Sequence, residues 1–117
     1  MKAIDRFRVD GKTAIVTGAS RGLGREIANA LASGGAHLLL TARDEAALAA
    51  VRAEVEKNHG VRAIVRTGDV RSPEFCDRLI DAALAEFGRL DVLVNNAGIN
   101  IRGAIDAVTP EDFDEVM

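Results

Sequence analysis

The sequence has no tyrosine, no tryptophan and one cysteine among its 117 residues. The single cysteine, Cys76, cannot form an intrachain disulfide or a cysteine-ligated metal cluster, and its place on the apolar side of a predicted helix indicates a small buried residue. No run reaches the roughly 18 consecutive apolar residues of a membrane-spanning helix. The N-terminal segment lacks the apolar stretch of a secretory signal, so we expect a cytoplasmic protein without a membrane partner.

The chain also lacks an excess of positive charge. Its 15 lysine and arginine residues are outnumbered by 18 aspartate and glutamate residues, which gives a net charge of -3 at pH 7. The basic residues are scattered along the sequence and form no stripe. Such a chain does not attract the phosphates of nucleic acids, so we expect no nucleic-acid partner.

Short apolar runs alternate with segments of helical periodicity. The runs predict four buried strands, at Lys12–Thr17, Ala36–Thr41, Arg62–Arg66 and Leu90–Val94. The charged ends of the third run place it at the edge of the sheet. The order β-α-β-α-β-α-β predicts right-handed crossovers and an α/β fold, the N-terminal half of a Rossmann-like doubly wound parallel sheet. We therefore treat residues 1–117 as one domain.

Helix signals stand between these runs. The first helix begins near Leu23 and ends before Gly34, and its predicted apolar face comprises Leu23, Ile27, Ala30 and Leu31. Asp44 and Ser72 stand where N-caps of the second and third helices are expected. Thr109 and Pro110 begin a fourth helix.

The most informative motif lies between the first strand and the first helix. Gly18, Gly22 and Gly24 are spaced G-x-x-x-G-x-G at a strand-to-helix turn. Gly18 permits the tight turn, Gly22 lets the backbone approach a pyrophosphate, and Gly24 permits close packing of helix on strand. The alternative is a glycine-rich turn without a ligand. A Walker-type phosphate loop is excluded because no Lys-Ser or Lys-Thr follows the last glycine.

The glycine motif beginning at Thr17, together with Asn95-Asn96-Ala97-Gly98 after the fourth strand, resembles the short-chain dehydrogenase/reductase family. The resemblance extends from about Gly11 to Met117 and implies an NAD(P)-dependent oxidoreductase that interconverts a carbonyl and an alcohol. It implies that the pyrophosphate and the adenosine ribose are surrounded by Gly18, Ser20, Arg21, Gly22 and Leu23, and Gly24 of the same motif is included among the cofactor-binding residues.

The resemblance implies further contacts at both ends of the dinucleotide. Asp69 and Val70 resemble the pair that contacts the adenine ring, and the alternative for Asp69 is a turn at the end of a strand. Asn96, Ala97 and Gly98 resemble the segment that lines the ribose on the nicotinamide side. Asn95 is predicted to tie neighbouring strand ends together.

The end of the second strand decides which dinucleotide is expected. NAD-binding sites of this type place a carboxylate there, whereas this sequence has Ala42 followed by Arg43. Arg43 is then available to pair with the 2′-phosphate of NADP, and Arg21 adds a second positive charge. We therefore predict NADP, with NAD as the alternative cofactor. The alternative for Arg43 is an ion pair with Asp44 or Glu45.

The family's chemistry relies on a tyrosine and a lysine in a Tyr-x-x-x-Lys motif, and this sequence contains no tyrosine. We therefore expect the sequence to carry cofactor binding alone and to stop before the catalytic half of a longer enzyme. The resemblance implies that the complete protein acts on a small-molecule carbonyl or alcohol and forms a homo-oligomer. The alternative is a non-catalytic dinucleotide-binding or interaction module that ends at Met117.

Overall fold

The computed structural model describes residues 9–96 and 100–101, in which strands and helices alternate. The strands are β1 (Thr13–Thr17), β2 (His37–Ala42), β3 (Ala63–Thr67), β4 (Val92–Asn95) and β5 (Asn100–Ile101). The helices are α1 (Gly22–Ser33), α2 (Glu45–His59) and α3 (Pro73–Phe87). The sheet order is β3-β2-β1-β4-β5, and the pairs among the first four strands are parallel. The predicted half of a doubly wound sheet is confirmed, and so is the edge position of β3.

Helices cover both faces of the sheet, which explains why the central strands are apolar at nearly every position. Ala14 and Val16 of β1 pack in one core cluster with α1 and α2. Ile15, the residue between them, packs in the opposite cluster with Leu39 of β2 and the apolar side of α3. Successive strand residues therefore fill alternate layers, as the two-residue period of a strand requires.

The predicted N-caps of the second and third helices are confirmed. The Asp44 carboxylate accepts a hydrogen bond from the Ala47 N–H at 3.0 Å, and the Ser72 hydroxyl accepts one from the Phe75 N–H at 3.2 Å. Each bond satisfies an amide that the helix leaves unpaired in its first turn. These caps fix where α2 and α3 begin, directly beyond β2 and the loop after β3.

The predicted apolar face of the first helix is partly wrong. Leu23 is 46% exposed and Ala30 is also exposed. The buried positions of α1 are Gly24, Ala28, Leu31 and Ala32. Small residues face the sheet because the start of α1 lies so close to the backbone after β1 that a larger side chain has no room. The period of large apolar residues therefore misplaced the face.

A fifth strand that the sequence did not predict borders β4 at the edge of the sheet. Val94 pairs with Ile101, and Asn95 with Asn100, in antiparallel register. β5 thus pairs with the last two of the four residues of β4. The helix predicted from Thr109 lies outside the described residues.

Thr13, at the start of β1, carries a buried hydroxyl that has no hydrogen-bond partner among the described residues. The residue is fully buried, and its Oγ1 forms no hydrogen bond within residues 9–96 and 100–101. Thr13→Val keeps the side-chain shape and removes the unpaired hydroxyl. We expect the free energy of unfolding to rise by about 1 kcal/mol, measured by urea denaturation. A decrease of similar size would show that the hydroxyl has a stabilising partner.

Candidate dinucleotide-binding cleft

The carboxyl ends of β1, β2 and β4 and the loop after β3 enclose a cleft of about 580 Å³. Parallel sheets bind ligands at this edge, where loops from neighbouring strands diverge. The cleft is lined by Gly18, Ser20, Arg21, Thr41, Ala42, Arg43, Asp44, Gly68, Asp69, Val70, Arg71 and Asn96. The fold therefore brings together residues from four separate segments of the sequence.

Most of the predicted site residues meet in this cleft, and some do not. Those that line it are Gly18, Ser20, Arg21, Arg43, Asp69, Val70 and Asn96. Gly22, Leu23 and Gly24 form the first turn of α1 beside the cleft without lining it. Ala97 and Gly98 lie outside the described residues.

The glycine positions of the loop after β1 differ in their physical reason. A Cβ on Gly24 would stand 1.9 Å from the Gly18 carbonyl oxygen, so the helix can start here only without a side chain. Gly18 has φ +61° and a Cβ there would come within 2.9 Å of the Asn96 amide nitrogen. Gly22 has φ +59° and open space around its Cβ position. Gly24 is required by packing against the backbone, and Gly18 and Gly22 are required by their positive φ.

A threonine hydroxyl joins the ends of β1 and β4 behind the cleft. Thr17 Oγ1 donates toward Val94 O at 3.3 Å or Asn95 Oδ1 at 3.4 Å, and it accepts the Asn96 N–H at 3.0 Å. Asn95 is fully buried and holds the strand ends together, as predicted. Asn96 is turned back over the glycine loop, with its amide nitrogen 3.4 Å from Gly18 O.

A carboxylate between two arginines forms the far side of the cleft. The Arg71 side chain contacts both oxygens of Asp69, with Nε 3.1 Å from each and Nη2 2.9 Å from Oδ2. Arg43 Nη2 lies 3.2 Å from Oδ2. The Arg71 guanidinium and N–H hold the pKa of Asp69 well below its usual range, and Arg43 adds to the effect. Asp69 is therefore ionised at neutral pH.

The loop after β3 contains two residues that the sequence did not single out. Arg71 lines the cleft and, as described, contacts Asp69 through two nitrogens. Gly68 is needed because a Cβ there would stand 2.4 Å from the Phe75 ring, which packs on the loop from α3. The Asp-x-Arg spacing is compatible with an Asx turn, and that was the one available signal for Arg71.

The family model described as short chain dehydrogenase matches residues 12–117. The chain belongs to the short-chain dehydrogenase family. The resemblance noted from the glycine motif and the Asn-Asn-Ala-Gly segment is thereby confirmed.

Relatives of this short-chain dehydrogenase chain include versicolorin reductase stcU of Emericella nidulans, 40% identical over 117 residues. That match covers 100% of this chain and 44% of the relative, so the chain spans less than half the length of the curated relatives it matches. The Gluconobacter frateurii L-sorbose reductase complexed with NADPH and L-sorbose has TM-score 0.74 and 35% identity, covering 91% of this chain and 41% of that one. A metagenomic short-chain oxidoreductase in complex with NADP has TM-score 0.71 and 44% identity, covering 78% and 41%.

The described helices include none that is long and apolar enough to cross a membrane. Within the same residues, no group of histidine, cysteine, aspartate or glutamate side chains could hold a metal ion.

Proposed function

We propose that the chain is the cofactor-binding part of an oxidoreductase that transfers hydride between NADP and a small carbonyl or alcohol. The observation that carries the proposal is the cleft itself, where a glycine loop, the start of a helix and three arginines lie together. The chain supplies binding and orientation of the dinucleotide, and the nicotinamide supplies the hydride chemistry when bound. We propose a cytoplasmic protein that is a homo-oligomer when complete, and we expect no turnover by this chain alone.

The start of α1 is suited to a pyrophosphate. Arg21 occupies its N-cap position and makes no side-chain hydrogen bond to the first turn, and that turn contains no acidic residue. By contrast, α2 and α3 have capping side chains and an acidic residue in the first turn. The unpaired N–H groups and the helix dipole together favour an anion at α1. The absence of a Cβ on Gly22 leaves room for its approach.

The cationic groups of the cleft favour NADP over NAD. Ala42 stands at the end of β2, where a carboxylate would repel a 2′-phosphate, and it lines the cleft beside Arg43. The Arg43 side chain is 65% exposed, and among the described residues its ion-pair contact is to Asp69. Neither Asp44 nor Glu45, the partners considered for Arg43 from the sequence, forms an ion pair with it in the described part of the chain. A phosphate can therefore reach Arg43 without displacing a buried group.

Arg43→Ala tests the cofactor preference. We expect NADP binding to weaken by about 10- to 100-fold, because charge-assisted hydrogen bonds to the phosphate are lost. NAD, which has no 2′-phosphate, should bind almost as before. The dissociation constants of both dinucleotides are measured by titration calorimetry on the 117-residue chain.

A matched control uses Arg52, an arginine of α2 whose ion pair with Glu56 lies outside the cleft. Arg52→Ala should leave both dissociation constants unchanged. In the opposite direction, Ala42→Asp should weaken NADP binding and leave NAD binding equal or stronger, because the new carboxylate repels the phosphate. A preference for NADP that is unchanged in Arg43→Ala would contradict the proposal.

A further inference from the structure

We propose that Arg71 is a positioning residue for cofactor selection: it holds the Asp69 carboxylate, so that Arg43 is released to bind the 2′-phosphate of NADP. The inference rests on the proposed function, since it concerns how the same cleft distinguishes NADP from NAD. By this inference the choice between NADP and NAD depends on the loop after β3 as well as on Ala42 and Arg43 at the end of β2.

The two arginines share Asp69 unequally. Arg71 contacts both carboxylate oxygens through Nε and Nη2, at distances of 2.9 to 3.1 Å. Arg43 has a single contact, from Nη2 to Oδ2 at 3.2 Å. A guanidinium that takes both oxygens forms the stronger pair, because two parallel charge-assisted bonds fix its orientation. Asp69 therefore remains paired when Arg43 leaves.

The arrangement matters because Asp69 and a phosphate compete for Arg43. Among the described residues, Arg43 and Arg71 are the cationic side chains that contact the Asp69 carboxylate. Without Arg71, the carboxylate would therefore be paired with Arg43 alone. A phosphate would then have to take Arg43 from an otherwise unpaired negative charge and bind close to that charge. With Arg71 in place, both carboxylate oxygens are already paired with a positive charge. Separating Arg43 from Asp69 then costs less, and so does placing the phosphate near Asp69.

The loop that carries these groups does not depend on the Arg71 side chain. Asp69 Oδ1 accepts the backbone N–H of Arg71 at 2.9 Å, and Asp69 O accepts that of Ser72 at 3.0 Å. Both bonds come from the backbone and persist when the side chain is shortened. The Arg71 side chain is 76% exposed, so its removal leaves no cavity. Arg71→Ala should therefore fold with its loop intact.

The test is a double-mutant cycle on the 117-residue chain, with wild type, Arg71→Ala, Asp69→Asn and the double variant. The readout is the ratio of the NADP and NAD dissociation constants, measured by calorimetry, together with the melting temperature. We expect Arg71→Ala to lower the preference for NADP by about fivefold. In the Asp69→Asn background, where no carboxylate holds Arg43, the same substitution should change the preference by less than about twofold.

The cycle separates positioning from other roles. If Arg71 bound the phosphate itself or acted only through its charge, the preference would fall equally in both backgrounds, and the inference would be wrong. A purely structural role would lower the melting temperature and leave the preference unchanged, which would also overturn it. Wild-type chain that binds no dinucleotide or prefers NAD would overturn the proposed function, whereas an NADP preference that is not lowered by Arg71→Ala overturns the positioning role alone.

Discussion

Gly24→Ala is expected to lower the free energy of unfolding by at least about 3 kcal/mol, because the added methyl group overlaps the backbone. Its Cβ would stand 1.9 Å from Gly18 O, 2.7 Å from Gly18 C and 3.2 Å from Ala19 Cα. No rotamer change can relieve contacts with main-chain atoms, so α1 must move away from the end of β1. Urea denaturation followed by circular dichroism measures the loss.

The same displacement should abolish dinucleotide binding, because the start of α1 forms one side of the cleft. Gly60→Ala is the matched control, at a glycine that ends α2 far from the glycine loop. Gly60 has φ +70° and nothing within 4 Å of its Cβ position, so alanine there costs about 1 kcal/mol of backbone strain and no clash. Equal losses at the two positions would show that α1 does not need its close approach to β1.

The alternation of apolar runs and helical segments was enough to predict the sheet. The sequence predicts a strand at Ala36–Thr41, and His37–Ala42 is observed, a displacement of one residue. Strong local signals fixed the starts of two helices, since Asp44 and Ser72 make the hydrogen bonds expected of N-caps. A buried parallel sheet needs apolar residues on both faces, and such strands are recognisable in a single sequence.

The packing of α1 and the strand β5 were not predictable in the same way. Helical periodicity identifies large apolar residues, whereas the face of α1 that meets the sheet is built from Gly24, Ala28 and other small residues. Their burial depends on how closely the helix approaches β1, which is a property of the folded structure. The two-residue strand Asn100–Ile101 is too short to show a period.

The residues of the candidate site likewise include some that the sequence could predict and some that it could not. Residues that belong to a spaced motif, such as Gly18 and Asn96, could be predicted, because the motif fixes their place at the ends of strands. Arg71 could not, because its pairing with Asp69 depends on the conformation of the loop after β3. Two arginines that share one carboxylate lie 28 positions apart in sequence, and no spacing rule connects them.

Asp91→Ala should also destabilise the fold, by about 2 kcal/mol, because it removes a buried carboxylate that accepts a buried backbone N–H and pairs with the half-exposed Arg89. Asp91 is 3% exposed and precedes β4. Its Oδ2 accepts the Thr13 N–H at 2.9 Å, and both of its oxygens accept Arg89 nitrogens at 2.6 Å. Alanine leaves the buried Thr13 N–H without this acceptor at the start of the central strand. Urea denaturation measures the change.

The contribution of Asp91 should depend on pH in a defined direction. The Arg89 guanidinium, with help from the Thr13 N–H, holds the pKa of Asp91 below its ordinary value against the opposing effect of burial. A carboxyl group whose pKa is lowered by folding stabilises the fold above its unfolded pKa of about 3.9, and this stabilisation is lost as the pH falls through the folded pKa. The difference in unfolding free energy between wild type and Asp91→Ala should be constant above about pH 5 and shrink below about pH 4.

Glu86→Ala is the matched control for the Asp91 pair, since it removes an arginine–carboxylate contact of similar chemistry on the surface. Glu86 Oε2 lies 3.1 Å from Arg62 Nη2, and the Glu86 and Arg62 side chains are 41% and 60% exposed. Solvent screens such a pair, so we expect a loss of less than about 1 kcal/mol. If Asp91→Ala cost no more than Glu86→Ala, or if its cost did not change with pH, then the hydrogen bond to Thr13 and the ionised state of Asp91 would not stabilise the join between β1 and β4. The larger, pH-dependent loss follows from the carboxylate: the two arginines are similarly exposed, whereas Asp91 is buried and also accepts the Thr13 N–H.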